Sequence, residues 1–103
     1  MSLGSSQAPS ALYHQEKTSI GATALQLSAT SIEIQTGIEI KAATANGSGI
    51  VYVGKSTVTA GGTDSTDGFP LAAGERVFLA IDDVSKVWVI GSTTGLAVSW
   101  IGS

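Results

Sequence analysis

Cysteine is absent from this 103-residue sequence, and histidine occurs once, as His14. Without cysteine, the chain forms neither disulfides nor thiolate metal sites. A metal site built on histidine needs further ligands of the same kind, which a single histidine does not provide. The sequence therefore predicts a fold held by packing alone, with no metal and no cofactor.

Charged residues are scarce as well. They make up 13% of the chain, against about 25% in an ordinary globular domain. The 8 acidic and 5 basic residues give a formal net charge of −3, whereas proteins that bind phosphate backbones need a basic surface. Nucleic acid is therefore not expected as a direct partner. Small residues take the place of charge, with 14 serines, 11 threonines and 13 glycines, as in tightly packed β structure.

Long apolar runs are missing too. No stretch approaches the roughly 18 apolar residues of a membrane span, so no membrane partner is expected. Residues 1–10 lack the basic and apolar segments of a secretory signal, which predicts synthesis in the cytoplasm without a signal peptide. A chain of this length has room for one domain.

Catalytic constellations are also missing, which predicts that the chain is not an enzyme. Catalysis usually requires a nucleophile with a base, paired carboxylates in a cleft, or a metal. His14 lies in a predicted edge strand, where a solvated or interfacial role is expected. Asp64 with Asp67, and Asp82 with Asp83, offer oxygen ligands for weak calcium binding, but neither pair has the spacing of a calcium loop. Solvated turn carboxylates are the favoured interpretation.

Short alternating runs separated by turn residues begin near Leu12 and are typical of antiparallel strands. We expect an all-β fold, a single antiparallel β-sandwich of jelly-roll or Greek-key type with seven or eight short strands; a small closed barrel is the alternative. Residues 1–12 are expected to form an extended arm and residues 13–103 the β-sandwich domain. The predicted strands cover residues 14–20, 23–27, 31–42, 49–55, 76–81, 86–90 and 96–101, with a weaker one over 57–60.

The clearest alternation lies in the predicted strand 31–42. Its isoleucines at positions 32, 34, 38 and 40 share one face, while polar side chains occupy the other. Gly37 suggests a bulge within this strand. The turn residues Asn46 and Gly47 predict a hairpin over residues 38–55.

Three segments carry large apolar side chains on both faces: residues 50–53, 87–90 and 96–101. A strand of a two-layer sandwich has only one face toward the core, so the second face needs a cover. The cover is either a loop of the same chain or another subunit, and the second alternative predicts an obligate assembly component. For the core or a subunit seam we expect Val51, Val53, Val87, Val89 and Trp100, and for contacts made by the arm Leu3, Leu12 and Tyr13.

Tyr52, Trp88 and Trp100 offer a further interpretation, a platform on which sugars stack. The chain would then be a carbohydrate-binding β module. Each of the three is embedded among valines and isoleucines, a setting that favours a core or interface aromatic.

Four segments resemble small virion proteins of tailed bacteriophages, namely residues 50–54 (IVYVG), 68–75 (GFPLAAGE), 87–92 (VWVIGS) and 98–101 (VSWI). The similarity is to capsid decoration, or cement, proteins and to related head-fibre and tail-associated β domains, and it spans residues 20–103. It implies a structural protein that binds the outer surface of the assembled head as a homotrimer and stabilises contacts between major capsid subunits. The alternative that it leaves open is a tail, baseplate or fibre-associated domain.

Overall fold

The computed structural model describes residues 11–103, which form eight strands and two 3₁₀ turns. Ten residues of the expected arm, Leu3 among them, lie outside this range. The strands are β1 (Tyr13–Ile20), β2 (Leu25–Gln26), β3 (Ile38–Ala42), β4 (Val51–Gly54), β5 (Phe69–Leu71), β6 (Arg76–Leu79), β7 (Trp88–Gly91) and β8 (Leu96–Gly102). The 3₁₀ turns cover Thr44–Asn46 and Val84–Lys86, and no helix of the described range is long and apolar enough to cross a membrane.

The strands form two four-stranded antiparallel sheets, which confirms the expected all-β, antiparallel class. Sheet A has the order β1-β8-β3-β6, and sheet B has the order β2-β7-β4-β5. The pairs β1 with β8, β2 with β7, β3 with β6 and β4 with β5 are nested along the chain. The innermost connection is the segment 55–68 between β4 and β5.

One hydrophobic core joins the facing sides of the two sheets. Sheet A contributes side chains such as Ile38, Ile40 and Val98, and sheet B contributes Val51 and Val89, all fully buried. Burying one such side chain stabilises the fold by about 1.5–3 kcal/mol. With no disulfide available, this shared core holds the sheets together.

The predicted strand 31–42 is wrong in its first half, because β3 begins only at Ile38. Gly37 has a φ of +124°, a conformation that side-chain-bearing residues rarely adopt, and the chain changes direction there. Residues 32–34 bond instead to the segment that follows β6, since Ile34 N–H donates to Asp82 O at 2.9 Å and Val84 N–H donates to Ile32 O at 3.0 Å. The alternation nevertheless predicts correctly that Ile34 is buried, since this side chain is in the core.

The predicted hairpin over residues 38–55 is also wrong. β3 lies in sheet A and β4 in sheet B, so the connection crosses from one sheet to the other. Asn46 fixes this crossing: its side-chain amide donates to Ala97 O at 2.9 Å and accepts from Ala97 N–H at 3.0 Å. The turn residues are therefore used to change sheets.

β5 is a strand that the sequence did not predict as one, because Phe69–Leu71 holds three residues with a proline at its centre. The weak strand predicted over 57–60 is reduced to one isolated bridge between Thr59 and Asp67. Both differences lie at the β4–β5 edge of sheet B.

Candidate interaction surface

The outer face of sheet B is covered by the chain itself. Tyr52 of β4 and Ile90 of β7 point away from the main core and pack with Val58 of the segment 55–68 in a second cluster. Tyr52 is 9% exposed, and its hydroxyl donates to Gly61 O at 2.8 Å. The segment 55–68 is therefore a lid that hides the second apolar face of sheet B.

Asp67 holds this lid in shape. Its carboxylate accepts from Thr59 Oγ1 at 2.7 Å and from Asp64 N–H at 3.0 Å. The Thr59 hydroxyl is the largest cause of a lowered Asp67 pKa, and the Asp64 amide adds to it, because hydrogen bonds to the charged form favour it. Both carboxylate oxygens of Asp67 therefore accept hydrogen bonds from within the loop. The role of Asp67 is structural.

The five residues expected in the core or a subunit seam all lie in the chain's own core. They are 5% exposed or less: Val51, Val53, Val87, Val89 and Trp100. Of the two expected roles, core or subunit seam, the structure places them in the core, because the two sheets and the lid supply the cover that the sequence left open. The apolar excess of these strands is therefore no argument for a second subunit.

The sugar platform does not form either. Trp100 is in the main core, where its indole N–H has no hydrogen-bond partner among the described residues, while Tyr52 lies under the lid and Trp88 packs beside it. A stacking platform requires open aromatic faces in one plane. Sheet B separates Trp100 from Tyr52 and Trp88, so the three rings are packed aromatics, as the favoured interpretation expected.

The outer face of sheet A has no comparable cover among residues 11–103. Its cross-strand register places His14, Ile101, Glu39 and Phe78 in one row across the four strands. Ile101 is 47% exposed and Phe78 is 60% exposed, and Arg76 reaches Glu39 between them at 3.7 Å. Apolar and charged groups therefore alternate on an open sheet face.

Sequence reasoning missed Phe78 and Ile101 as surface residues. Each lies in a run with large apolar neighbours on both pleat faces, and the sequence does not indicate which face stays open. One signal was available: Phe78 shares a face with Arg76 two residues earlier, a charged position that is rarely buried.

β1 is the edge strand of this same sheet, and it extends beyond the cover of sheet B. Residues 13–16 are exposed, although Tyr13 and Gln15 lie on the core-facing side. Leu12, directly before the strand, is 67% exposed. Leu12 and Tyr13, two of the expected arm contacts, are therefore both exposed, although the Tyr13 side chain does not lie on the outer face of sheet A.

A polar cleft of about 630 Å³ lies near Tyr13 and is lined by Asp82, Asp83 and Lys86. Asp83 accepts hydrogen bonds from the Ser31 hydroxyl and from Ser85 N–H and Oγ, which hold its pKa well below the ordinary value, the Ser31 bond most strongly. Asp82 pairs with Lys86 Nζ at 2.7 Å. Both carboxylates already bond to groups of the same chain. They therefore stabilise the loop that lines the cleft.

Residues 11–103 contain no group of three or more His, Cys, Asp or Glu side chains placed to hold a metal ion. No protein-family model, curated protein or solved structure matches the chain. We therefore infer function from two surfaces of sheet A. These are its outer face and its β1 edge.

Proposed function

We propose that the chain is a structural protein of a phage virion, most simply a capsid decoration protein. It binds the outside of the assembled head and stabilises contacts between major capsid subunits, as the resemblance implies. It acts at the virion surface, where it forms non-covalent protein–protein contacts.

The strand order is the observation that carries this proposal. The sheets are ordered β1-β8-β3-β6 and β2-β7-β4-β5, with nested antiparallel pairs, and this order supports the jelly-roll type that we propose for the sandwich. Double-sheet jelly rolls recur in viral capsid proteins, and also in lectins. Fold analogy alone does not assign a function. Tyr52, Trp88 and Trp100 form no open platform for a sugar, which weighs against a lectin-like function. The open outer face of sheet A supports a role in protein contacts.

The outer face of sheet A is the surface that we assign to the shell. Charged residues are depleted at the centres of protein interfaces, whereas aromatic residues are enriched there. Phe78 and Ile101 provide the apolar groups, and the Arg76–Glu39 pair provides a polar contact beside them. Leu12, which directly precedes β1 and is 67% exposed, adds to this surface in the proposal.

Decoration stabilises a shell by linkage. A subunit that binds the assembled shell and not its separated parts lowers the free energy of the assembled state. A homotrimer, which the resemblance implies, gains avidity because its three copies engage together. The weak individual contacts of a small sheet face are therefore sufficient for firm attachment.

Heat tolerance of decorated particles tests the proposal. Phe78→Ser and Ile101→Ser are expected to fold normally and to leave particles less heat-tolerant, and removal of residues 1–12 is expected to do the same. Thr57→Ser, an exposed position in the lid on the opposite side, is the matched control and should not reduce binding to the shell. Particles that gain no heat tolerance from the wild-type chain would contradict the decoration role. Density on the tail in images of the native particle would favour the tail, baseplate or fibre alternative.

A further inference from the structure

β1 is the longest strand of the fold, with eight residues, and it has a strand neighbour on one side only within residues 11–103. The other outer strands are short or interrupted: β2 has two residues, β5 contains Pro70 and β6 has four residues. Short edges and proline discourage pairing with another chain. β1 has neither protection, since it contains no proline or glycine.

The hydrogen bonds of β8 show which groups of β1 face the free edge. Ala43 N–H donates to Ala97 O, and Ser103 N–H donates to Gly37 O, so the odd-numbered residues of β8 bond to β3. In a central antiparallel strand, alternate residues bond to opposite neighbours. The even-numbered residues of β8 therefore bond to β1, through their register partners Tyr13, Gln15 and Lys17. The backbone groups of His14 and Glu16 point to the free edge.

Charge disfavours two registers for a second copy at this edge and favours a third. Two identical antiparallel strands related by a two-fold axis place residues of the same face opposite each other. Centring on Glu16 or on Lys17 puts like charges face to face, which destabilises a strand pair. Centring on Gln15 places His14 opposite Glu16 of the second copy, and Tyr13 opposite Lys17 of the second copy.

We propose that two copies of the chain pair through β1, antiparallel and centred on Gln15, and so join their A sheets into one eight-stranded sheet. His14 and Glu16 form hydrogen-bonded pairs with Glu16 and His14 of the second copy. An edge lysine normally discourages pairing. In this register the Lys17 ammonium meets the tyrosine ring of the second copy, an attractive contact.

The pairing is independent of the decoration role. A two-fold edge contact joins chains in pairs, whereas a trimer uses a three-fold contact on another surface. Each can therefore be found without the other, and a failure of one leaves the other standing.

Cysteine cross-linking tests the register, and the absence of native cysteine makes the result unambiguous. In the proposed pairing, the two Gln15 residues face each other at the axis as a non-hydrogen-bonded pair, with Cα atoms about 4.5 Å apart. Gln15→Cys in the full chain should therefore form a covalent dimer. The control is Glu16→Cys, an equally exposed neighbour whose counterpart lies diagonally across, beyond the roughly 7 Å that a disulfide spans.

The expected result is covalent dimer from Gln15→Cys at a rate at least about ten times that of Glu16→Cys, because pairing gives the facing thiols a high effective concentration. Equal rates for the two variants would overturn the proposal. Faster cross-linking of Glu16→Cys would overturn the register. A wild-type chain that sediments as a monomer, or as a trimer without Gln15→Cys cross-linking, would overturn the edge pairing.

A charge exchange gives a second, independent readout. His14→Glu places glutamates opposite Glu16 in both pairs and should weaken self-association, by roughly three- to tenfold. Adding Glu16→Lys restores opposite charges at both pairs and should recover the dimer. A dimer that is indifferent to His14→Glu, or that the second substitution fails to recover, would contradict the proposed contact.

Discussion

The outer faces of the two sheets both carry large apolar side chains, but a loop of the chain covers them on sheet B only. On sheet B, Tyr52 and Ile90 point outward and are buried under the lid, residues 55–68. On sheet A, Phe78 and Ile101 also point outward, and both stay exposed beside Glu39. One chain therefore carries a sealed face and an open face on opposite sides of a single core.

The difference lies in the connections. The β4–β5 connection of sheet B spans 14 residues and folds back over its own sheet, anchored by Asp67 and by the Tyr52 hydroxyl. In the described range, the connections that reach sheet A leave its outer face uncovered. The apolar groups on this face, which has no lid among residues 11–103, form the surface that we propose for a partner.

An aromatic truncation on each face is the strongest test of this contrast. Tyr52→Ala removes a buried ring and its hydrogen bond, and should lower the free energy of unfolding by about 3–5 kcal/mol. Phe78→Ala removes an exposed ring and should change it by less than about 0.5 kcal/mol. Urea denaturation of both variants measures the difference, and similar losses would contradict the assignment of a sealed and an open face.

Gly68 is the point where the lid rejoins β5, and it has no room for a side chain. A Cβ there would lie 2.6 Å from Val58 Cγ2 and 2.7 Å from Val53 O. Gly68→Ala should therefore destabilise the protein by about 1–3 kcal/mol through overpacking. Gly21→Ala is the control, since its Cβ would make its closest contact at 3.4 Å, from Thr94 Cγ2. Equal melting temperatures for the two variants would refute the tight lid closure.

Acid should weaken the two loops that Asp67 and Asp83 stabilise. The pKa of Asp67 is lowered by the Thr59 hydroxyl and then the Asp64 amide, and that of Asp83 is lowered by the Ser31 and Ser85 bonds. A lowered folded-state pKa stabilises the protein above the unfolded value, near 3.9, and this stabilisation is lost as pH falls toward the folded-state value. The melting temperature should fall below about pH 4.

The control for this prediction is Asp83→Asn, which removes the titrating group at the more strongly shifted site. The variant should be less stable at neutral pH and should lose less of its remaining stability between pH 5 and pH 2 than the wild type. Thermal melts across that range supply the measurement. Parallel melting curves for variant and wild type would exclude Asp83 as a source of the pH dependence.

The smallest expected effect on stability is that of Phe78→Ser. The ring is 60% exposed, so its loss should change the free energy of unfolding by about 0.5 kcal/mol or less. Its effect on shell binding should be much larger, because aromatic side chains dominate contact energies. Binding to purified shells, measured beside thermal melts, separates the two quantities. A variant that binds as tightly as the wild type would remove Phe78 from the contact surface.

Much of the fold could be predicted from the sequence because local alternation indicates strands. The predicted boundaries of β1, β7 and β8 lie within two residues of the observed ones. The predicted strand 31–42 failed at Gly37, where a change of backbone direction overrides a continuous apolar pattern. The hairpin failed because turn residues do not indicate which sheet the next strand joins.

The candidate surface was harder to predict. Apolar residues on both faces of a strand indicate that a cover is needed, but not whether a loop or a subunit provides it. The lid over Tyr52 depends on contacts such as Val58 with Ile90, 32 residues apart in the chain. The arm contacts stay a prediction: Leu12 and Tyr13 are exposed, while Leu3 is outside the described residues.

Sedimentation of the purified 103-residue chain measures whether the exposed side of sheet A, with its β1 edge, contacts other subunits. We expect concentration-dependent association at micromolar concentrations, weakened by His14→Glu and unchanged by Thr57→Ser in the lid. A compact 10.3 kDa monomer with no tendency to associate would contradict it.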